Sequence, residues 1–219
     1  MIDFNKLIDQ HITREYKPKK IGNYYPSEIG RCMRKIWYSY MRPQDVEPDL
    51  RKVFEVGHIM HDFVVDVLKS EKTHDVELLK AEMPLKFHTD YFTISGRVDD
   101  LILLKIDGRM ILVEVKSTRN ISMVKRAEPS HTMQLQFYMH ASGVHNGIIL
   151  YIDKTNLKTK IFEIKFDEEE GTKILKRFEE LHNYLVENEL PFAEAKQMYD
   201  MNWMCRYCEY KSKCDKDEK

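Results

Sequence analysis

No run in this chain of 219 residues approaches the roughly 18 consecutive apolar residues of a membrane-spanning helix. A helical integral membrane protein is therefore not expected. The first residues, Met-Ile-Asp-Phe-Asn-Lys, lack the apolar core of a signal peptide, so the expectation is a soluble cytoplasmic protein. Excess charge is also missing: 35 Lys and Arg stand against 36 Asp and Glu, which gives the molecule as a whole no attraction to nucleic acid. Internal repeats and low-complexity segments are absent. Cysteine is scarce, with only 4 in the chain, and disulfides are a poor reading in the cytoplasm, where glutathione keeps thiols reduced.

What is present is enough apolar residue, 42%, for one well-packed domain and a small lobe. The charge is unevenly spread. Between Tyr16 and Arg42 there are seven bases (Lys17, Lys19, Lys20, Arg31, Arg34, Lys35, Arg42) against one acid, Glu28. From Asp167 to Glu194 there are nine acids against three bases. A basic N-terminal lobe can track a phosphate backbone while the acidic segment stays away from it, and a solvated charged surface is the plainer reading.

The chain is organised around Gly96-Arg97-Val98-Asp99-Asp100, an apolar run, Asp107-Gly108, and then Ile111-Leu112-Val113-Glu114-Val115-Lys116. An Asp-Gly pair between two apolar runs signals a hairpin, so Leu101 to Ile106 and Arg109 to Lys116 are expected to pair antiparallel. A two-residue turn sets Ile106 opposite Arg109, Leu101 opposite Glu114 and Asp99 opposite Lys116. Asp99, Glu114 and Lys116 then share one face, Asp100 lies on the other with Val115, and a one-residue bulge reverses that choice. Glu114 and Lys116 stand about 6.6 Å apart along the strand, within reach of one small ligand. Two carboxylates in one place repel unless a divalent cation or another partner resolves them. The plain alternative is that Lys116 makes an ordinary cross-strand salt bridge, which fits poorly with a strand as apolar as Ile111 to Val115. Two acids followed by a lysine in this order resemble the PD-(D/E)xK nuclease superfamily.

Elsewhere, Asp3 to Glu15 reads as a polar opening helix. Pro26-Ser27-Glu28 reads as a second helix start with Ser27 as its cap, carrying Cys32, Arg34, Lys35, Trp37 and Tyr38. Cations interleaved with aromatics can hold a single strand, and Trp37 and Tyr40 can equally be core. A turn-rich linker from Pro43 to Leu50 precedes a helix from about Lys52 to Ser70, with an apolar stripe of Val56, Met60, Phe63, Val64 and Val67. His61 falls on the edge of that stripe, and Gly57, one turn earlier, leaves room for another backbone. Met83 to Phe87 and Tyr91 to Ser95 read as strands joined at His88-Thr89-Asp90. Ser117 to Ser130 reads as a polar loop able to border a substrate channel. A helix from about His131 to Ser142 follows, on which Gln134 and Tyr138 share a face and can hold a phosphate, orient a metal ligand, or be ordinary polar surface. Gly147 to Asp153 reads as a central strand, Lys158 to Phe166 as another, and Asp167 to Asn188 as an amphipathic helix with acids suited to its N-terminal dipole. The order of elements predicts an α/β fold around a mixed central sheet flanked by helices.

Cys205-x2-Cys208-x5-Cys214 closes the chain, and the fourth cysteine, Cys32, lies more than 170 residues earlier. Three close thiolates and one distant partner suit a four-ligand soft-metal site that clamps the C-terminus onto the N-terminal helix. Zinc and an iron-sulfur cluster both accept four thiolates. The three-plus-one split leans toward a cluster.

Taken together, Cys32 within Ser-Glu-Ile-Gly-Arg-Cys, Gly57-x-x-x-His61, Gly-Arg-Val-Asp99, Glu114-Val-Lys116, Gln134-x-x-x-Tyr138 and the C-terminal cysteines resemble the CRISPR-associated RecB-like exonucleases, the fourth numbered family of CRISPR-associated proteins. The similarity runs from about Tyr24 to Cys214. It implies a single nuclease domain over 1–219, with its core at about 52–190 and an iron-sulfur lobe formed by about 22–45 and 191–214. It further implies His61, Asp99, Glu114 and the Val115 carbonyl as ligands for Mn2+ or Mg2+, and Lys116 as catalytic. Gln134 and Tyr138 would complete the nuclease motif, and Cys32, Cys205, Cys208 and Cys214 would hold [4Fe-4S]. DNA contacts are expected at Arg31, Arg34, Lys35 and Tyr138. The activity implied is DNA hydrolysis, from the 5′ end of single strands, in CRISPR adaptation beside the integrase that takes up new spacers. A stand-alone RecB-like nuclease of repair or of a mobile element, a DNA-binding accessory subunit without catalysis, and a zinc-stabilised regulator are the competing readings.

Overall fold

The structure, a computed structural model, describes residues 1–13 and 17–217. Arg14 and Glu15, the end of the expected opening helix, lie outside the described residues. In chain order the elements are α1 (Phe4–Ile12), β1 (Asn23–Tyr24), α2 (Met33–Met41), α3 (Pro48–Lys69), β2 (Val76–His88), β3 (Thr93–Leu104) and β4 (Met110–Thr118). They continue with α4 (Pro129–Ser142), β5 (Asn146–Asp153), β6 (Thr159–Lys165), α5 (Glu168–Val186), α6 (Glu194–Gln197) and α7 (Lys211–Lys216).

The strands form one mixed sheet in the order β1-β3-β4-β5-β6, with β2 paired along the free side of β3. β4 and β5 run parallel at its centre, and their apolar stretches, buried on both faces, need helices above and below. On one face Val64 of α3 packs with Ile102, Ile111, Val113 and Val115 of the sheet. On the other, α2, α4 and α5 cover a larger core that includes Trp37, Leu112, Leu135, Phe137, Ile149 and Phe178. Trp37 and Tyr40 are thus core residues; the Trp37 indole donates to the Tyr184 carbonyl.

Two local expectations need correction. Ser27 caps no helix: residues 25–31 form successive turns, with Glu28 bonded back to Tyr25 and Arg31 to Glu28, and α2 begins only at Met33. Gly30 in that segment is pressed against the start of α4, where a Cβ would sit 2.4 Å from the Ser130 Cα. Gly57 also does not admit another backbone, because no atom of the described residues lies within 4 Å of a Cβ built there. Gly96, beside the cleft, does have close neighbours: its Cβ would meet the Tyr138 hydroxyl at 2.9 Å and Pro26 Cδ at 3.0 Å.

The β3–β4 turn differs as well. Leu104 bonds to the Arg109 carbonyl and Gly108 back to Leu104, so Lys105, Ile106, Asp107 and Gly108 all lie within the turn. The Asp107 carboxylate accepts from the Arg109 amide, and Gly108 takes a φ of 71° that suits a residue without Cβ. The register is accordingly Leu103 to Met110 and Asp100 to Val113, two residues away from the expected one. A slip of two leaves every side chain on its expected face.

Candidate active site

The β3–β4 ladder ends at Asp100 and Val113, and beyond it the two strands part. Carried one residue further, the register sets Asp99 level with Glu114. The Val115 amide, which would have bonded to β3 backbone, instead donates to the Asp99 carboxylate at 2.7 Å. Glu114, Val115 and Lys116 still pair with β5, so they remain rigid on one side while the other opens into a cleft of about 780 Å3.

His61 from α3, Glu82 from β2, Asp99, Glu114, Val115 and Lys116 line this cleft, together with Gln134 and Tyr138 from α4. Asp100 does not line it, in keeping with the face assigned from the register. Alternation along β3 is broken near Asp99: Val98 and Leu101 both pack into the larger core although they are three residues apart. Across from this break, between Met83 opposite Val98 and Ala81 opposite Asp100, Glu82 adopts a left-handed φ of 49°. Such irregularities re-aim side chains beside active sites.

The charges interlock. Lys116 Nζ lies 2.7 Å from Glu114 Oε1 and donates to Gln134 Oε1 at 3.1 Å, while the Gln134 amide donates to the Tyr138 hydroxyl at 3.3 Å. His61 Nδ1 is 3.2 Å from Glu82, and Arg97 holds the other Glu82 oxygen at 3.1 Å. Burial first and Glu114 second push the Asp99 carboxyl up to about 8, against the pull of Lys116 and His61. Burial also raises Glu114. Burial by itself would lower the Lys116 pKa, but Glu114 and Asp99 outweigh it and hold the ammonium above its ordinary value. The Asp100 carboxylate, 3.5 Å from Nε2, leads in raising His61 to about 9.

These properties suit a divalent cation site. His61, Glu82 and Asp99 offer ligand atoms within 4.8 Å of one another, and Glu114 Oε2 is buried with no hydrogen-bond partner among the described residues. The donor set of one imidazole and hard carboxylate oxygens fits Mn2+ or Mg2+. Glu82 is the member that sequence reasoning missed. The only signal for it is the β2–β3 register, and that depends on a turn longer than the three residues expected.

The other expected residues fall into two places. All four cysteines line one small cavity between α2 and the C-terminal segment, with Cys32 at the N-terminus of α2. The Cys205 and Cys208 thiols are raised chiefly by burial, and Cys32 is close enough to add to both. Arg34 and Lys35 border this cavity rather than the cleft: Arg34 donates to the Pro191 carbonyl, and Lys35 pairs with Glu209 at 2.7 Å. Much of the basic N-terminal stretch is likewise engaged within the lobe, with Lys19 bonded to Glu28 and Arg42 to Asp217. Arg31 is exposed, close enough to the cleft residue His131 to help burial and Lys116 depress that imidazole to about 3. Tyr138 is only 2% exposed.

No curated protein matches the chain. Among solved structures, SSO0001 is 22% identical, with 94% of this chain and 90% of that one covered at a TM-score of 0.60. LHK-Exo of Laribacter hongkongensis in complex with dAMP is 15% identical, covering 80% and 93% at 0.51. A phage related exonuclease from Haemophilus somnus 129PT is 13% identical, covering 84% and 96% at 0.53. At these identities the likeness is one of fold. The model of the PD-(D/E)XK nuclease superfamily matches residues 13–215, nearly the whole length of the chain, and the chain belongs to that superfamily.

Proposed function

We propose that this protein is a deoxyribonuclease dependent on Mn2+ or Mg2+ that degrades single-stranded DNA from the 5′ end. Its role would be to trim DNA for uptake by the CRISPR integrase, and its four cysteines would hold a [4Fe-4S] cluster. The observation that carries the hydrolytic reading is the convergence of His61, Asp99, Glu114 and Lys116 on one cleft, with a buried Glu114 oxygen left without a partner among the described residues. Two proteins sharing the fold are named exonucleases or bound to dAMP, which supports the same substrate class. The adaptation role rests on the order and joint presence of the motifs. The cluster rests on four thiols from the two ends of the chain meeting at one cavity.

His61, Asp99, Glu114 and the Val115 carbonyl would hold the ion, with Glu82 beside them. When bound, such an ion polarises a phosphoryl oxygen and lowers the pKa of attached water. The rest is done by the chain. Lys116, fixed between Glu114 and Gln134, orients the attacking water and meets the charge that develops on the oxygens of the pentacovalent phosphorus. Tyr138 holds Gln134 from behind.

The test is digestion of 5′- and 3′-labelled single strands by purified protein with Mn2+, after its iron, sulfide and visible absorption have been recorded. Stepwise products from the 5′ end, abolished by chelation, are expected. No metal-dependent cleavage of any DNA would overturn the reading. A colourless protein with stoichiometric zinc would replace the cluster and leave the nuclease in place. Co-purification with the CRISPR integrase tests the biological role.

A further inference from the structure

Asp100 takes no part in the chemistry above, yet it is 0% exposed and, among the described residues, neither carboxylate oxygen has a hydrogen-bond partner. Burying such a group uncompensated is costly, so its neighbour matters. Beside it stands His61 Nε2, 3.5 Å from Oδ2, while the opposite ring nitrogen, Nδ1, faces Glu82 at 3.2 Å and the cleft. The imidazole bridges a carboxylate sealed beneath the sheet face and the carboxylates of the site.

We propose that Asp100 is a positioning residue whose carboxylate accepts from His61 Nε2–H, so that Nδ1 is the atom offered to the divalent ion. The inference rests on the metal-dependent reading above. A neutral imidazole carries one N–H, and a carboxylate can only accept, so a contact at Nε2 fixes the proton there and leaves the lone pair on Nδ1. A ring held in this way is also turned correctly before the ion arrives. Partners of this kind behind a ligating imidazole typically contribute 10- to 100-fold in metal affinity. Asp100 can do nothing more direct, because it is absent from the cleft wall. The two neighbouring aspartates thus divide the work: Asp99 faces the ion, and Asp100 holds the ligand that faces it.

Calorimetric titration of Mn2+ into wild type, D100N, H61A and the double variant tests this. Asparagine presents a donor as well as an acceptor and no longer dictates the tautomer, so D100N should weaken Mn2+ binding about 10- to 100-fold. In the H61A background D100N should cost nothing further. An unchanged affinity in D100N, or an equal loss with and without His61, overturns the proposal. A measurement without metal stands beside it: the ion-free wild type should show a slowly exchanging, downfield imidazole N–H proton that H61A and D100N both lack. Its absence from wild type overturns the contact even if D100N fails to fold. A wild type that shows this proton but binds no Mn2+ removes the nuclease reading and the positioning role while leaving the contact intact.

Discussion

Asp99 gathers the electrostatic tension of the cleft. It titrates near 8 when buried beside Glu114, against about 4 for a carboxylate in an unfolded chain. His61 is raised in the same sense, to about 9, against about 6.5 unfolded. Across both intervals the folded, ion-free protein binds more protons than the unfolded chain, so its stability falls as pH rises. The Asp99 contribution is present below about pH 4 and lost as pH rises through 8; the His61 contribution is present below about 6.5 and lost through 9. Thermal melts in chelator should therefore show a midpoint declining from mildly acidic to alkaline pH, with D99N flattening the lower part of the curve. Mn2+ competes with those protons, so the shift it produces should grow over the same range. Replacing Asp99, Glu114 or Lys116 by alanine should cut Mn2+-dependent cleavage at least about 100-fold while folding is retained. Full activity in all three would place the chemistry elsewhere.

Each element contributes through where it stops. β3 and β4 form the site because their ladder ends at Asp100, so that Asp99 offers its side chain in place of a backbone carbonyl. α4 approaches that opening closely, and Gly96 is what admits it. G96A should lose about 1–3 kcal/mol through the contact with the Tyr138 hydroxyl, as overpacked positions do. Cleavage should fall too, since Tyr138 supports Gln134 and Gln134 supports Lys116. Removing the hydroxyl in G96A/Y138F should recover part of the stability, measured as the denaturant midpoint; no recovery would assign the crowding to Pro26. The β3–β4 turn shows a different tolerance. It holds two more residues than Asp107-Gly108 alone predicts, yet faces survive a shift of two.

At the scale of the whole molecule, two distant stretches are tied at one cavity. Arg177 from α5 adds to the tie by holding Glu194 at 2.6 Å, and Glu194 accepts from the Met33 amide at the start of α2. Cys32→Ser or Cys214→Ser should therefore loosen the C-terminal segment first. Limited proteolysis should cut near Arg206, Lys211 or Lys213 faster in those variants than in wild type. Equal rates would show that the thiols bear no structural load. The nuclease cleft, built on the rigid strands β4 and β5, should keep its Mn2+ affinity in the same variants.

The sequence by itself determined the alternation that separates Asp99 from Asp100, the shared face of Gln134 and Tyr138, and the meeting of Cys32 with the C-terminal cysteines. Each follows from a local period or from the pairing chemistry of a residue type, and those act along the chain. Only tertiary structure decided that Glu82 joins His61 and Asp99, that Gly96 rather than Gly57 admits a close neighbour, and that Arg34 and Lys35 belong to the cysteine cavity. Those outcomes depend on the register of β2 against β3 and on how helices seat over the sheet. Both are fixed by packing between residues far apart in sequence, which no local pattern encodes.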